Sequence, residues 1–252
     1  MALSRERIGA MLTTEQIGRT LIVLDETDST NRVAKTMAID GAAHGTVIVA
    51  NSQTAGHGQK GRSFFSPPDS GLYVSIILRG LSVADAALLT PCAGVAAARA
   101  IESVAPVTVQ IKWVNDLEIG DKKIAGILTE GGVTTGDRLD FAVIGIGINV
   151  CHVDFPDELQ PIAGTVADAA GTDVDRERLL AALLGELEAA LPSRTFMPEY
   201  RRRSSILGKA VTVTEGDVTY TATAMDIDED GALIIECDGT SKRLIYGEVR
   251  VR

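Results

Sequence analysis

The feature of the sequence with the clearest chemical meaning is a glycine-rich loop, AGHGQKGRSFFSPPDSG, at residues 55–71. Gly56, Gly58 and Gly61 have the spacing G-x-G-x-x-G, which in dinucleotide-binding folds follows a strand and opens a helix. A strand-like run precedes this loop, but the Pro67–Pro68 pair follows it and cannot begin a helix pointing at a pyrophosphate. The spacing therefore does not indicate a dinucleotide site.

The loop is better suited to another polar or anionic ligand. Glycines leave backbone N–H groups accessible, and the segment adds polar and cationic side chains. These side chains are Gln53, His57, Gln59, Lys60 and Arg62. We expect the loop to be flexible when it is empty.

Four further polar clusters interrupt or end apolar segments, where polar groups are costly unless they have partners. They are Glu26–Asn31, Lys112–Asp116, Lys122–Glu130 and Gly145–Asn149. Each has an ordinary structural explanation: a helix cap, a surface ion pair, a solvated lysine beside a turn, and a β-bulge. Side chains at strand ends are also well placed to hold a ligand, and glycines within strands leave room for one.

Composition excludes several classes of function. The chain has 252 residues, 45% of them hydrophobic, and its formal net charge of −10 argues against non-specific nucleic-acid binding. No apolar run reaches the roughly 18 residues of a membrane span, and the first residues lack the apolar segment of a signal peptide. Three distant cysteines, Cys92, Cys151 and Cys237, do not suggest a disulfide framework. We expect a cytoplasmic protein without a DNA or membrane partner.

The hydrophobic pattern up to residue 205 predicts a mixed β-sheet with helices. The predicted helices are 4–18, 30–41, 83–104, 173–191 and 196–205, and the predicted strands are 21–24, 45–50, 72–78, 107–113, a hairpin over 117–128, and 139–150. Pro91 must kink the third helix or begin a new segment, with Thr90 as its candidate cap.

The pattern changes near Lys209 to period-two strands separated by turn residues such as Asp230-Gly231 and Asp238-Gly239. This change predicts a small antiparallel meander or barrel. We therefore predict an α+β protein with a catalytic domain at residues 1–205 and a second domain at 206–252.

The polar motifs, taken in order, resemble those of biotin protein ligase, also called biotin–acetyl-CoA-carboxylase ligase. They are E-T-D-S-T-N, Q-x-A-G-x-G-x-x-G-R-x-F-x-S-P, K-W-x-N-D, K-x-x-G-I-L-x-E and G-I-G-x-N-V. One such motif is a weak signal, but five in the family's order, within a resemblance spanning about residues 20 to 250, are specific. The resemblance implies the class II synthetase-like fold of biotin and lipoate ligases, followed by an SH3-like β-barrel. Some members of the family also carry an N-terminal DNA-binding domain, but with about 20 residues before the first predicted strand and an acidic chain we expect the monofunctional form without it.

The resemblance further implies a two-step reaction. Biotin and ATP with Mg²⁺ give biotinyl-5′-adenylate, and a lysine of a biotin carboxyl carrier protein then attacks the mixed anhydride. By the same resemblance Lys123 and Arg62 are catalytic, with Lys123 bridging the biotin carboxylate and the α-phosphate. Joining two anions does require cations at the point of contact.

The remaining roles are carried over position by position. The residues implied in biotin binding are Ser29, Thr30, Asn31, Gln53, Gly56, His57, Gly58, Gln59, Lys123 and Gly126. Those implied in ATP binding are Arg62, Phe64, Lys112, Asn115, Asp116 and Asn149, with Mg²⁺ arriving with ATP near Asp116 rather than fixed by the protein alone.

The glycine loop departs from the family's usual G-R-G-R-x-G-R, because His57 and Gln59 replace two arginines. Neither side chain can fully copy the bidentate contacts of arginine, although the charge of Lys60 can compensate in part. We hypothesise that the enzyme retains its adenylate less tightly than relatives with both arginines. Val114 also replaces the usual proline, a change expected to affect only local stiffness.

Two alternatives to this function are considered. The first is a lipoate or octanoate ligase or transferase of the same fold; the second is a non-enzymatic biotin- or nucleotide-binding module. The sequence contains no P-loop, and its histidines His44, His57 and His152 stand alone. Whether the chain forms a homodimer is left open.

Overall fold

The computed structural model of the chain describes residues 3–132, 134–191, 195–245 and 247–251, except for the side chains of Lys60, Thr134 and Thr135. Its helices are α1 (Arg5–Met11), α2 (Thr30–Ile39), α3 (Val83–Ala87), α4 (Leu89–Val104), α5 (Val166–Ala170), α6 (Arg176–Ala190) and α7 (Met197–Arg202). Its strands are β1 (Leu21–Thr27), β2 (Val47–Gln53), β3 (Gly71–Leu78), β4 (Gln110–Lys112), β5 (Asp116–Ile119), β6 (Lys122–Gly131), β7 (Thr134–Thr135), β8 (Arg138–Leu139), β9 (Ala142–Asn149), β10 (Ala210–Glu215), β11 (Val218–Ile227), β12 (Leu233–Cys237), β13 (Thr240–Leu244) and β14 (Glu248–Val251).

The main sheet has the strand order β1-β2-β3-β9-β6-β5-β4. The pair β1–β2 is parallel and the other neighbours are antiparallel, so the predicted mixed sheet is confirmed. One face packs against α4 and α6, and alternate residues such as Ile144, Ile146 and Ile148 enter the large core on this side. Period-two alternation in the strands thus builds the core.

The opposite face of the sheet is only partly covered. Ala34 and Ala38 of α2 pack there on Ile48, Ile77 and Val143 in a second, smaller core. Beyond that helix, the same face of β9 continues with Gly145, Gly147 and Asn149 and lines an open cleft. The short apolar stripe of α2 therefore determines where the core ends and the cleft begins.

The first helix is shorter than predicted. It ends at Met11 rather than at residue 18, since the backbone of Leu12 is extended (ψ 128°). Further along, backbone N–H groups that the prediction placed in the helix have a distant partner. The Glu188 carboxylate accepts hydrogen bonds from the backbone N–H groups of residues 15, 16 and 17 at 2.6–2.8 Å. Local periodicity cannot anticipate a carboxylate from α6.

The predicted helix over 83–104 is two helices, α3 and α4, separated at Leu88. Pro91 lies in the first turn of α4, where a missing N–H breaks no helical hydrogen bond. The alternative of a new segment was therefore the right one. Thr90 is not the cap, since it lies inside α4 and its hydroxyl contacts Thr129 at 3.0 Å. Helix α5 was not predicted.

The C-terminal strands form a five-stranded antiparallel sheet in the order β13-β12-β11-β10-β14, which confirms the small β-domain. Among the described residues, no pairing joins the edge strands β13 and β14. The sheet contacts the first part of the chain through Trp113, whose indole N–H donates to the Gly231 carbonyl at 2.9 Å, and through an Arg201–Glu229 ion pair at 2.8 Å.

No helix in the described part of the chain combines the length and the apolar character that crossing a membrane requires.

Candidate active site

A cleft of about 740 Å³ opens on the uncovered face of the main sheet. Of the residues predicted for the site, all except Gly56 line it: Ser29, Thr30, Asn31, Gln53, His57, Gly58, Gln59, Arg62, Phe64, Lys112, Asn115, Asp116, Lys123, Gly126 and Asn149. These residues come from α2, the glycine loop and five strands or their connections. The fold therefore converts motifs distant in sequence into one site.

Glycines form part of the floor of this cleft, and their lack of a side chain is used by neighbouring protein groups. A Cβ on Gly145 would lie 2.1 Å from Asn31 Oδ1, and a Cβ on Gly147 would lie 2.6 Å from the Phe64 ring. Pairing of β9 with both neighbours is continuous, so these glycines do not mark a β-bulge. The space was predicted, but in this structure Asn31 and Phe64 occupy it.

The start of α2 is capped from another segment. Ser29 is the N-cap residue but its side chain makes no cap hydrogen bond. Instead the Gln53 amide oxygen accepts from the Thr30 backbone N–H at 2.9 Å and from the Thr30 hydroxyl at 3.2 Å. The amide nitrogen of Gln53 donates to Ser66 Oγ at 3.1 Å. The ordinary cap interpretation of this motif is thus incomplete, since Ser29 borders the cleft and its side chain makes no cap hydrogen bond.

Asn31 is held from two sides beneath the cleft. Its amide nitrogen donates to Glu130 at 2.9 Å, and Lys35 donates to the other oxygen of Glu130, also at 2.9 Å. Ser75 Oγ, which is fully buried, donates towards Asn31 Oδ1 at 2.6 Å. Glu130 closed the K-x-x-G-I-L-x-E motif but was assigned no role; its partners on α2 became visible only in the structure.

The two lysines predicted for the site, Lys112 and Lys123, are paired with carboxylates. Lys123 Nζ lies 2.6 Å from Asp116 Oδ1, and Lys112 Nζ lies 3.4 Å from Glu118 Oε1. Strands β5 and β6 pair in register here, with Asp116 opposite Gly126. Phe64 and Lys123 meet over that glycine, where a Cβ would lie 3.4–3.5 Å from both side chains.

The two asparagines predicted for nucleotide binding are anchored to backbone carbonyls. Asn115 donates to the Ile127 carbonyl at 2.8 Å and accepts the Ile127 N–H through its own carbonyl at 2.9 Å. Asn149 donates to the Gly164 carbonyl at 3.1 Å. These contacts hold the loops that border the cleft.

Arg62 of the glycine loop forms an ion pair with Glu248 of β14. Glu248 also pairs with Arg250. Burial tends to raise the pKa of the Glu248 carboxyl, but Arg250 and Arg62 outweigh it and hold the pKa below its ordinary value. The C-terminal contributors to the cleft wall were not predicted: Lys209, Gly247, Glu248, Val249, Arg250 and Val251. The turn signals of that domain give its strands but not the surface on which it packs.

The glycine loop has hydrogen bonds of its own. The Gly58 N–H donates to the Arg62 carbonyl at 2.7 Å, and the Phe64 N–H donates to the Gly56 carbonyl at 2.9 Å. A single 3-10 turn, Gln59–Gly61, forms its tip. His57 and Gln59 line the cleft, whereas the side chain of Lys60 lies outside the described residues.

Within the described part of the chain, no three His, Cys, Asp or Glu side chains cluster as a metal site. Among the residues predicted to contact the nucleotide, Asp116 alone carries a carboxylate, and it lines the cleft. Mg²⁺ is commonly held by one or two carboxylates together with phosphate oxygens and water. One carboxylate at this position therefore fits a Mg²⁺ ion that arrives with ATP.

The Glu130 network predicts a specific response to acid. Burial tends to raise the pKa of the Glu130 carboxyl, but hydrogen bonds from Lys35 and Asn31 outweigh it and lower the pKa. A carboxyl whose pKa is lower in the folded state contributes stability above its unfolded pKa, and this stability is lost as pH falls through the folded value. Urea unfolding at pH 7 and near pH 4 is expected to show a smaller acid-induced loss for Glu130→Gln than for the parent. An equal loss in both proteins would contradict the assignment.

Comparison with known sequences finds relatives over nearly the whole chain. Residues 23–149 match the Biotin/lipoate A/B protein ligase family, and residues 206–252 match the Biotin protein ligase C terminal domain. The chain is 34% identical to the Bifunctional ligase/repressor BirA of Bacillus subtilis, over 99% of this chain and 79% of that protein. It is 32% identical to the Biotin--[acetyl-CoA-carboxylase] ligase of Mycobacterium tuberculosis, over 92% of this chain and 88% of that protein.

Solved structures show the same similarity. The biotin protein ligase from Aquifex aeolicus in complex with biotin and ATP has a TM-score of 0.78 and 28% identity, with 93% of this chain and 99% of that chain covered. The biotin protein ligase from Leishmania major in complex with biotinyl-5-AMP has a TM-score of 0.64 and 25% identity, covering 90% of this chain and 98% of that chain.

Proposed function

The chain belongs to the biotin/lipoate A/B protein ligase family and, within it, to the biotin protein ligases, and on this premise we propose how its cleft carries out the reaction. The enzyme activates biotin with ATP as biotinyl-5′-adenylate and transfers the biotinyl group. In the first step a carboxylate oxygen of biotin forms a bond to the α-phosphorus, and pyrophosphate leaves. In the second step a lysine amine attacks the acyl carbon, loses a proton, and AMP leaves.

One observation supports this assignment most strongly: the cleft places Lys123 on the same floor as the polar groups of α2 and β2. Uncharged hydrogen-bonding groups, such as Thr30 and Gln53, suit the ureido end of biotin. Lys123 suits the other end, where the carboxylate must approach a phosphate against charge repulsion. In this proposal Lys123 exchanges its partner Asp116 for the two reacting anions.

Arg62 is proposed to make a similar exchange. It pairs with Glu248, and with ATP bound it would turn to the phosphates. An exposed ion pair contributes little stability, so a phosphate can displace Glu248 at little cost. Phe64 is proposed to pack on adenine, and Asp116, once released by Lys123, would help to hold Mg²⁺ against the phosphates.

We propose a biotin carboxyl carrier protein as the acceptor and the cytoplasm as the location. The carrier follows from the names of relatives, which act on acetyl-CoA carboxylase. We place the boundary between the two domains at 205/206; the C-terminal family model begins at residue 206, and β10 begins at Ala210. The absence of a nucleic-acid partner stays a sequence prediction, and the sequence leaves the question of a homodimer open.

Acid-dependent exchange of labelled pyrophosphate into ATP tests this function without an acceptor. We expect exchange with biotin and none with lipoate or octanoate. Exchange with lipoate or octanoate but not with biotin would show that the protein is instead a lipoate or octanoate ligase of this fold. If none of the three acids supports exchange, a binding module is favoured. If biotin supports exchange, transfer of the biotinyl group to the lysine of a carrier domain tests the second step.

The substitutions in the glycine loop give a further prediction. Gln59 lines the cleft, and a bidentate arginine there would add charge-assisted contacts to the adenylate. The half-life of the enzyme–adenylate complex is expected to lengthen in the Gln59→Arg variant. It is measured by isolating the complex and following adenylate release; an unchanged half-life would refute the idea.

A further inference from the structure

Ser66 belongs to the S-P end of the glycine-loop motif and was assigned no role by the sequence. It is 5% exposed and lies behind Gln53, away from the residues that reach the cleft. We propose that Ser66 is a positioning residue that turns the Gln53 amide oxygen towards Thr30 and so keeps a lone pair of the Thr30 hydroxyl for an N–H group of the substrate. This inference rests on the proposed function and concerns how the same site selects its acid.

The direction of each hydrogen bond follows from a fixed starting point. The Phe64 carbonyl can only accept, so the Ser66 hydroxyl donates to it, at 2.9 Å. Having used its single proton, Ser66 Oγ can only accept from Gln53. The Gln53 amide nitrogen must therefore face Ser66, where it lies at 3.1 Å.

The other end of the Gln53 amide then faces α2. Its oxygen accepts from the Thr30 backbone N–H at 2.9 Å and from the Thr30 hydroxyl at 3.2 Å. The Thr30 hydroxyl also lies 2.8 Å from Ser75 Oγ, which can only accept from it because the Ser75 proton goes to Asn31 Oδ1. Both neighbours of the Thr30 hydroxyl are therefore acceptors, and its proton points away from the cleft. With its oxygen turned to Thr30, the Gln53 amide has no N–H that could occupy the remaining Thr30 lone pair. What Thr30 offers a ligand is an oxygen lone pair, and a group that donates a hydrogen bond is its matching partner.

The backbone reinforces this arrangement. The Gln53 N–H donates to the Ser66 carbonyl at 3.1 Å, so the two residues are joined by main chain as well as side chain. Gly56 leaves the space they need, since a Cβ there would lie 2.7 Å from Ser66 Oγ and 2.9 Å from Gln53 Nε2. Gly56 does not line the cleft, and its place in the motif is explained by this packing.

Of the three candidate acids, only biotin carries an N–H group that could donate to the Thr30 hydroxyl oxygen. The ureido ring of biotin carries N–H donors, whereas the dithiolane of lipoate and the methyl end of octanoate carry none. A buried polar site discriminates strongly against a ligand that leaves its groups unpaired. The chain from the Phe64 carbonyl to Thr30 therefore favours a substrate with an N–H donor.

The test compares the KM for biotin in pyrophosphate exchange between the parent and Ser66→Ala. We expect KM to rise about 10-fold, the effect of losing one buried hydrogen bond, with kcat little changed, because binding is weakened equally in ground and transition states. Ser66→Thr, which keeps the hydroxyl, is expected to restore the parental KM. Ser52→Ala serves as the matched control, since Ser52 is also buried (6% exposed) and its hydroxyl faces Asp25 and Glu26.

Two further measurements distinguish positioning from general loss of structure. In a Gln53→Ala background, Ser66→Ala should have no added effect, because Ser66 acts through Gln53. A cyclic carbamate analogue of biotin, made for each of the two ureido positions, replaces one N–H by oxygen. The parent should discriminate against one analogue, and Ser66→Ala should discriminate less.

The outcomes separate this inference from the proposed function. Suppose that the parent exchanges with biotin. If Ser66→Ala then has the parental KM, or if Ser66→Ala raises KM as much in the Gln53→Ala background as in the parent, the inference is wrong and the proposed function stands. If the parent does not exchange with biotin, the proposed function fails, whatever the variants show.

Discussion

Replacing Lys123 with alanine is expected to lower the rate of adenylate formation by about 10²–10³-fold, the cost of removing one electrostatic donor from a reacting centre. Lys123 lies over the floor of the cleft, 2.6 Å from Asp116, where two anions must meet. Its loss should reduce kcat and kcat/KM together, because charge builds up at this point only in the transition state. Single-turnover formation of the adenylate measures the effect directly.

The fold of the Lys123→Ala variant should be preserved. The side chain is 38% exposed, and ion pairs of such exposure contribute at most about 1 kcal/mol. Lys242→Ala is the matched control, since Lys242 also pairs with a carboxylate, Glu215, but lies in the C-terminal sheet outside the cleft. We expect Lys242→Ala to keep the parental rate. If Lys123→Ala formed the adenylate at the parental rate, the assignment of Lys123 as a catalytic residue would be wrong.

Gly145→Ala is expected to destabilise the protein by about 2–4 kcal/mol and to weaken biotin binding, through overpacking and the loss of buried hydrogen bonds. The added Cβ would lie 2.1 Å from Asn31 Oδ1. Asn31 cannot yield easily, because Glu130 and Ser75 hold its amide and the helix holds its backbone. Denaturant unfolding and biotin titration measure the two effects.

The same substitution elsewhere provides the comparison. Gly9 lies in α1 with no atom within 4 Å of an added Cβ, so Gly9→Ala is expected to stabilise the protein by about 0.5–1 kcal/mol. Gly147→Ala is expected to be intermediate, because its Cβ would meet the Phe64 ring, which no side-chain hydrogen bond holds in place. Equal stability of Gly145→Ala and the parent would show that Asn31 is not fixed as the structure indicates.

The sequence by itself determined the class of the protein and most of its helices and strands, and all but one of the sixteen site residues that it predicted line the cleft. The helices and strands follow from sequence patterns within each segment. Period-two and helical alternation follow from burial of one face, and motifs such as K-W-x-N-D end a strand with groups that need partners. Local patterns predicted the helices and strands, whereas the roles of the site residues came from the resemblance of five short motifs to those of biotin protein ligase.

Only the tertiary structure decided how those side chains are held. It paired Arg62 with Glu248, 186 residues away, and Asn31 with Glu130, 99 residues away. It filled the space above Gly145 with a side chain and gave the backbone N–H groups of residues 15–17, predicted to be helical, a carboxylate of α6 as partner. Such partners are selected by the packing of whole elements, and their energies depend on distances that no local periodicity contains. The sequence therefore named the chemistry of the site, and the fold set the direction of each hydrogen bond within it.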